Sequence, residues 1–120
     1  MTVSVHNPDQ YMASLHELKA RLYLRARDFN HTMIHYEKAF ELDPRLDLAL
    51  LIPPLFLSAG LPDLALQRID LYLGMPPYKG ISPKRWRQEL NQLRSTIENA
   101  INAQASYKDQ APTTPDQGPH

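Results

Sequence analysis

Two amphipathic helical patterns joined by a short polar corner occupy residues 15–44, and this segment constrains the fold more than any other. The apolar face of the first pattern recurs every three or four residues and consists of Leu15, Leu18, Leu22 and Ala26. The second pattern has the same period and consists of Met33, Tyr36, Ala39 and Phe40. Asp28 is placed to cap the second helix, and Pro44 ends it because proline lacks an amide hydrogen. The segment therefore predicts two helices that pack side by side.

Small and aromatic side chains fall where two such helices would touch. Ala20 and Ala39 would allow the two backbones to approach closely. Tyr23, Phe29 and Tyr36 could fill the wedge between them. The expected unit is an antiparallel helical hairpin.

This hairpin resembles a tetratricopeptide repeat, a helix–turn–helix unit with a period of about 34 residues. The positions that carry the resemblance are Ala20, Tyr23, Phe29, Tyr36 and the closing run from Ala39 to Pro44. Three positions depart from the family pattern, namely Lys19, Arg27 and Thr32. The resemblance implies an all-α solenoid fragment that binds a protein or peptide partner on its concave surface.

A degenerate second copy follows the first, in residues 46–77. The residues that recur near the expected spacing are Ala49, Leu50, Gly60, Ala65, Ile69 and Leu73. Pro53 and Pro54 fall inside its first helix, where each proline costs roughly 3 kcal/mol. We therefore expect a kink or a break near Ile52, with a new first turn starting at Pro54.

A cleaner amphipathic pattern occupies residues 83–105, after a cap at Ser82 and a proline at the first helical position. Its apolar face consists of Trp86, Leu90, Leu93, Ile97 and Ile101. A solenoid exposes the apolar face of its last repeat, so we expect this helix to cover it.

The predicted architecture is all-α, with about five helices in one domain over residues 9–105. The first repeat would span residues 13–45. Residues 1–8 are expected to be flexible, and residues 106–120, which are polar and rich in proline, are expected to be disordered.

Composition argues against several function classes. The 120 residues include 13 basic and 13 acidic side chains and no cysteine, which gives a net charge of zero and excludes thiol chemistry. The chain has no glycine-rich phosphate loop and no GxSxG elbow, so we expect no enzyme activity and no cofactor. With no secretory signal and no apolar run that could span a bilayer, we expect a cytoplasmic location, unless the chain is a fragment whose upstream signal or anchor is missing.

A metal site is the alternative that the histidines raise. His31 and His35 are four residues apart and would share one helix face, with His16 or Glu37 as the only further ligands in view. The expectation is that both are surface residues and that no metal binds.

The resemblance also implies where a partner would bind. The residues that would line the concave groove are Ser14, Glu17, Arg21, Leu24 and Arg25 in the first repeat and Leu48, Leu51 and Leu57 in the second. Such a groove is partly basic and partly apolar, which suits an acidic residue beside an aliphatic or aromatic anchor. Burial of Leu24, Leu51 and Leu57 under the last helix, or in a homodimer, is the alternative.

Two other functions remain open at this level. The chain could be an accessory segment of a larger enzyme or envelope protein. It could also contact nucleic acid through a basic patch of Lys84, Arg85 and Arg87 with Trp86 among them. We favour a solvated helix face with Trp86 in the core, since nucleic-acid binders usually carry net positive charge.

Overall fold

The computed structural model describes residues 7–110, with side chains described for residues 7–106. It contains five helices, which are α1 (Pro8–Arg25), α2 (Phe29–Leu42), α3 (Leu46–Ser58), α4 (Pro62–Leu73) and α5 (Pro83–Gln110). Between residues 7 and 110 there is no strand. The predicted all-α class and the number of helices are confirmed.

Polar side chains and prolines at the helix starts explain where the helices begin. Asn7, Asp28 and Ser82 each accept a hydrogen bond from an amide of the first turn, at 3.2, 3.1 and 3.0 Å. Proline occupies the first position of α1, α4 and α5, where its missing amide hydrogen costs no helical bond. The caps predicted at Asp28 and Ser82 and the end of α2 before Pro44 are confirmed.

The two helical hairpins repeat one backbone geometry at an interval of 33 residues. Arg27 in the α1–α2 corner has a left-handed φ of 62°, and Gly60, 33 residues later in the α3–α4 corner, has a φ of 81°. Each corner is closed by a 2.9 Å hydrogen bond from an amide to the carbonyl five residues earlier, Asp28 to Tyr23 and Leu61 to Phe56. The helix ends on either side keep the same interval, with Arg25 matching Ser58 and Phe29 matching Pro62. The chain therefore contains two copies of one helix–corner–helix unit.

Small residues, rather than leucines, join α1 to α2. Ala13 and Ala20 of α1 and Ala39 of α2 are completely buried. The predicted close approach of the two helices at Ala20 and Ala39 is therefore confirmed. Leu18 and Leu22 of the predicted apolar face of α1 are 48% and 56% exposed, so this face is not the one that packs against α2. Because alanine allows two helix axes to come close, α1 turns its alanine face to α2 and its leucines away from it.

α3 is one unbroken helix although it contains Pro53 and Pro54. Of the predicted kink or break near Ile52, the break and the new first turn at Pro54 are therefore wrong, and the kink stays a prediction. Neither proline can donate to the carbonyl four residues earlier, which weakens the helix locally. Burial offsets this cost, because α3 places six residues in the core: Leu46, Leu48, Ala49, Ile52, Pro53 and Phe56. Tertiary packing outweighs intrinsic propensity here.

α5 covers the second hairpin with one apolar face. It packs against both α3 and α4. Trp86, Leu90 and Ile97 are buried, and the Trp86 Nε1–H donates to the carbonyl of Tyr72 at 2.9 Å. The opposite face of α5 is polar and exposed. This arrangement agrees with the prediction that the last helix caps the stack.

The outer bounds differ from those predicted. α5 continues to Gln110 instead of ending at residue 105, so the first part of the expected tail is helical. Pro8, expected to be flexible, begins α1. The rest of both segments, residues 1–6 and 111–120, lies outside the described residues. No helix within residues 7–110 combines the length and apolar character needed to cross a bilayer.

Candidate partner-binding groove

Arg45, at the start of α3, ties α3 to α1. Its Nη2 donates to Glu17 Oε2 at 2.8 Å, and its Nε donates to Asp47 Oδ1 at 3.0 Å. Its Nη1 also lies 3.6 Å from Oδ2 of the buried Asp43. Burial lowers the pKa of Arg45, but the hydrogen bonds to Glu17 and Asp47 more than compensate and leave it raised. One guanidinium therefore holds three carboxylates from two parts of the chain.

The groove residues predicted on α1 form a row along one side of the helix, which begins at Glu17 of this ion pair and ends at Arg25. Glu17 is partly buried because Arg45 already holds it, and Leu24 is also partly buried. Arg21 and Arg25 are exposed. Among the side chains of residues 7–106, no carboxylate pairs with either arginine. Arg21 and Arg25 are therefore the charged side chains of this row that can pair with acidic groups of a partner.

The groove residues predicted on α3 have different surroundings. Leu51 is 39% exposed, whereas Leu57 is partly buried and packs against the core. Leu48 is 1% exposed, so its predicted place in the groove is wrong. In the described part of the chain α1 has close backbone contact with α2 alone, while α3 contacts α2, α4 and α5. The groove residues of α1 and those of α3 are therefore joined through the Arg45–Glu17 ion pair and do not form one closed cleft.

A shallow depression of about 330 Å³ adjoins Arg45 and was not predicted. Its apolar lining comes from Leu46, Leu50, Tyr78 and Ile81, and its polar lining from Arg45, Asp47, Arg85 and Glu89. The lining comes from α3, α5 and the loop between α4 and α5, so no local sequence pattern reveals it. The only sequence feature that could have indicated this depression is the presence of Tyr78 and Ile81 in that proline-containing loop.

Tyr78 fixes that loop against the rest of the molecule. Its hydroxyl donates to Asp43 Oδ1 at 2.6 Å and accepts from Gln10 Nε2 of α1 at 3.4 Å. The hydrogen bond to Asp43 is the main reason that the pKa of Tyr78 is raised. The floor of the depression is therefore held by contacts to α1 and to the α2–α3 corner.

The basic patch on α5 lacks the aromatic that a nucleic-acid contact would use. Lys84, Arg85 and Arg87 are exposed, and Arg85 lies 3.9 Å from Glu89. Trp86 is 1% exposed, so its ring cannot stack on a base. The placement of Trp86 in the core, predicted from the amphipathic pattern, is confirmed.

The three histidines of α1 and α2 form two separate contacts and do not converge on one point. His16 and His35 face each other across α1 and α2 with their Nδ1 atoms 2.9 Å apart, while His31 Nδ1 lies 2.7 Å from Asp28 Oδ2. The ring of Tyr23 stacks against both His31 and His35. Within the described residues no three histidine, aspartate, glutamate or cysteine side chains are grouped to hold a metal ion.

The His16–His35 contact predicts a loss of stability in mild acid. Burial is the main cause that lowers the pKa of both rings below 6.5, followed by the charge of Lys19 for His16 and by the charge of His16 for His35. The unfolded chain therefore binds protons first. Stability that is fully present above pH 6.5 is lost progressively as the pH falls from that value through the lowered pKa values of the folded state. Losing one hydrogen bond should cost about 1 kcal/mol, or roughly 4–8 °C in melting temperature between pH 7.5 and 5.5. A His16→Gln, His35→Gln variant should show a much flatter profile; an equal slope in both proteins would contradict the assignment.

The chain matches no protein-family model, no curated protein and no solved structure. Its fold and its candidate groove therefore rest on the sequence pattern and on the geometry described above.

Proposed function

We propose that the chain is a non-catalytic protein-binding module built from two tetratricopeptide-like repeats and a capping helix. A peptide or partner surface would lie along the α1 row from Glu17 to Arg25 and reach Leu51. The repeated corner geometry and the capping role of α5 support the repeat assignment.

One observation carries the binding proposal. Arg45, Arg68 and Arg94 each pair with a carboxylate, whereas Arg21, Arg25, Arg27 and Arg87 pair with none among residues 7–106. Of these four, Arg21 and Arg25 share one helix face with the apolar Leu24. Arginine is enriched where proteins bind partners, and acidic partners complement its charge. The partner therefore presents acidic groups beside an apolar anchor.

Charge reversal on α1 tests this proposal. We expect Arg21→Glu with Arg25→Glu to abolish capture of proteins that the wild-type chain retains from its native lysate, as identified by mass spectrometry. Melting should be unchanged, because both side chains are exposed. Arg87→Glu, an exposed arginine on α5, is the matched control and should retain capture. Retention of the same proteins by the double variant would reject the α1 row as the binding surface.

A further inference from the structure

In the described part of the chain, the outer face of α1 carries an apolar stripe that is largely exposed, with Leu15 partly buried. Tyr11, Leu15, Leu18 and Leu22 follow one another at intervals of four, three and four residues, which aligns them along one narrow strip of the helix. Tyr11 is 62% exposed, and Leu18 and Leu22 are each about half exposed. Ala13 and Ala20, on the opposite side of α1, face the core.

The spacing of this stripe is that of a coiled-coil seam. Apolar residues at alternating intervals of four and three are the a and d positions of a heptad, which insert between the side chains of a facing helix. A helix that lies in a bilayer surface presents a wider apolar face. The stripe is narrow at Leu18 and Leu22, since Lys19 and Arg21 flank it on its two sides and are exposed; only near Tyr11 does the exposed Met12 widen it. Its geometry therefore favours a helix as occupant.

Charge identifies the kind of helix. The basic residues of α1, which are Lys19, Arg21 and Arg25, are all exposed. Its acidic residues are in the first turn (Asp9) or already paired with Arg45 (Glu17). Residues that flank a coiled-coil seam select the partner by charge, so basic flanks select acidic ones. A second copy would bring another basic helix to the same seam.

We infer that this stripe docks an amphipathic helix of a partner protein, with apolar residues along one seam and acidic residues on both sides of it. The stripe adjoins the proposed groove face at Arg21 and Arg25, so the inference rests on the proposed binding function, extends its surface and names the chemistry of the partner. Leu18 and Leu22 fill the seam, while Lys19 and Arg21, at the two flanking positions, pair with the acidic residues of the partner. Arg25 falls at the next seam position, three residues after Leu22, where it ends the apolar stripe.

Two designed peptides test it. Each is about three heptads long with leucine at the a and d positions; one has glutamate and the other lysine at the flanking positions. Fluorescence anisotropy with the full chain should show the glutamate peptide bound at least about tenfold more tightly, a difference of about 1.4 kcal/mol. Equal binding of the two peptides, or binding of neither, would overturn the inference.

Substitutions separate the seam from simple charge attraction. Leu18→Gln with Leu22→Gln removes the apolar contact at little cost in helix propensity and should weaken the glutamate peptide at least about tenfold. Leu71→Gln, at an equally exposed leucine of α4, should leave binding unchanged. Unchanged binding by the Leu18, Leu22 variant would show that charge alone attracts the peptide and would overturn the inference.

The same variant tests two other possible occupants of the stripe, a second copy of the chain and a membrane surface. Self-association in light scattering that Leu18→Gln with Leu22→Gln dissolves would assign the stripe to a second copy. Sedimentation with phosphatidylserine vesicles that this variant loses would assign it to a membrane; either result overturns the inference. If the Leu18, Leu22 variant still captures the lysate partner while the Arg21, Arg25 variant does not, the helix inference fails and the proposed function stands.

Discussion

Replacing Trp86 with alanine should destabilise the chain by about 3–5 kcal/mol, the usual cost of emptying a large buried site. Trp86 is the largest fully buried side chain and lies where α5 covers α4. Its removal leaves a cavity and also leaves the Tyr72 carbonyl without its indole donor. Because a small domain is stable by only about 5–15 kcal/mol, much of the protein should unfold at moderate temperature.

The matched variant is Trp86→Phe, which keeps an aromatic ring but loses the hydrogen bond to Tyr72. It should cost markedly less than Trp86→Ala. Unfolding must be followed by far-UV circular dichroism, because Trp86 is the only tryptophan. A loss below about 1 kcal/mol for Trp86→Ala would show that α5 does not seal the stack.

Replacing Leu48 with alanine should cost about 2–5 kcal/mol, whereas the same change at Leu51 should cost about 0.5 kcal/mol. The two leucines are three residues apart on α3, but one is 1% exposed and the other 39%. The pair therefore compares identical chemistry in the core and on the candidate groove.

Denaturant unfolding measures both variants directly. The midpoint should fall strongly for Leu48→Ala and scarcely for Leu51→Ala, with similar m-values. Equal losses would mean that α3 is rotated from the orientation described, and Leu51 could not then offer apolar surface to a partner.

Local rules predicted the parts of the fold that depend on neighbouring residues. Asp28 accepts from an amide one turn ahead, and Pro44 cannot continue a helix, whatever the rest of the chain does. The capping helix was also predictable, since its apolar positions share one face from Trp86 onward.

The choice between competing faces was predicted only in part, since Ala20 and Ala39 were placed at the contact of α1 with α2 but the exposure of Leu18 and Leu22 was not predicted. α1 has two candidate contact faces, one of leucines and one of alanines, and hydrophobicity favours the leucines. The alanine face with Ala13 and Ala20 packs against α2 because it allows the two helices to approach closely. Such an approach depends on both helices and cannot be read from α1 alone. In the same way, burial of α3 outweighed the local penalty of Pro53 and Pro54.

The candidate groove was predicted only in part, for a related reason. Exposure of Arg21 and Arg25 follows from the helical period and the repeat resemblance. The ion pair between Glu17 and Arg45 and the hydrogen bond from Tyr78 to Asp43 join positions that are far apart in sequence. No periodic pattern specifies such contacts, so the depression between α3 and α5 emerged only from the structure.

Amide hydrogen exchange of the wild-type chain, alone and with a captured partner, tests most directly whether the α1 side of the stack is the binding surface. Bound partner should slow exchange along α1 between Glu17 and Arg25. The surface around the ion pair between Arg68 of α4 and Glu37 of α2 should exchange as in the free chain. Slowing confined to α2 and α4, with α1 unchanged, would contradict the proposed function.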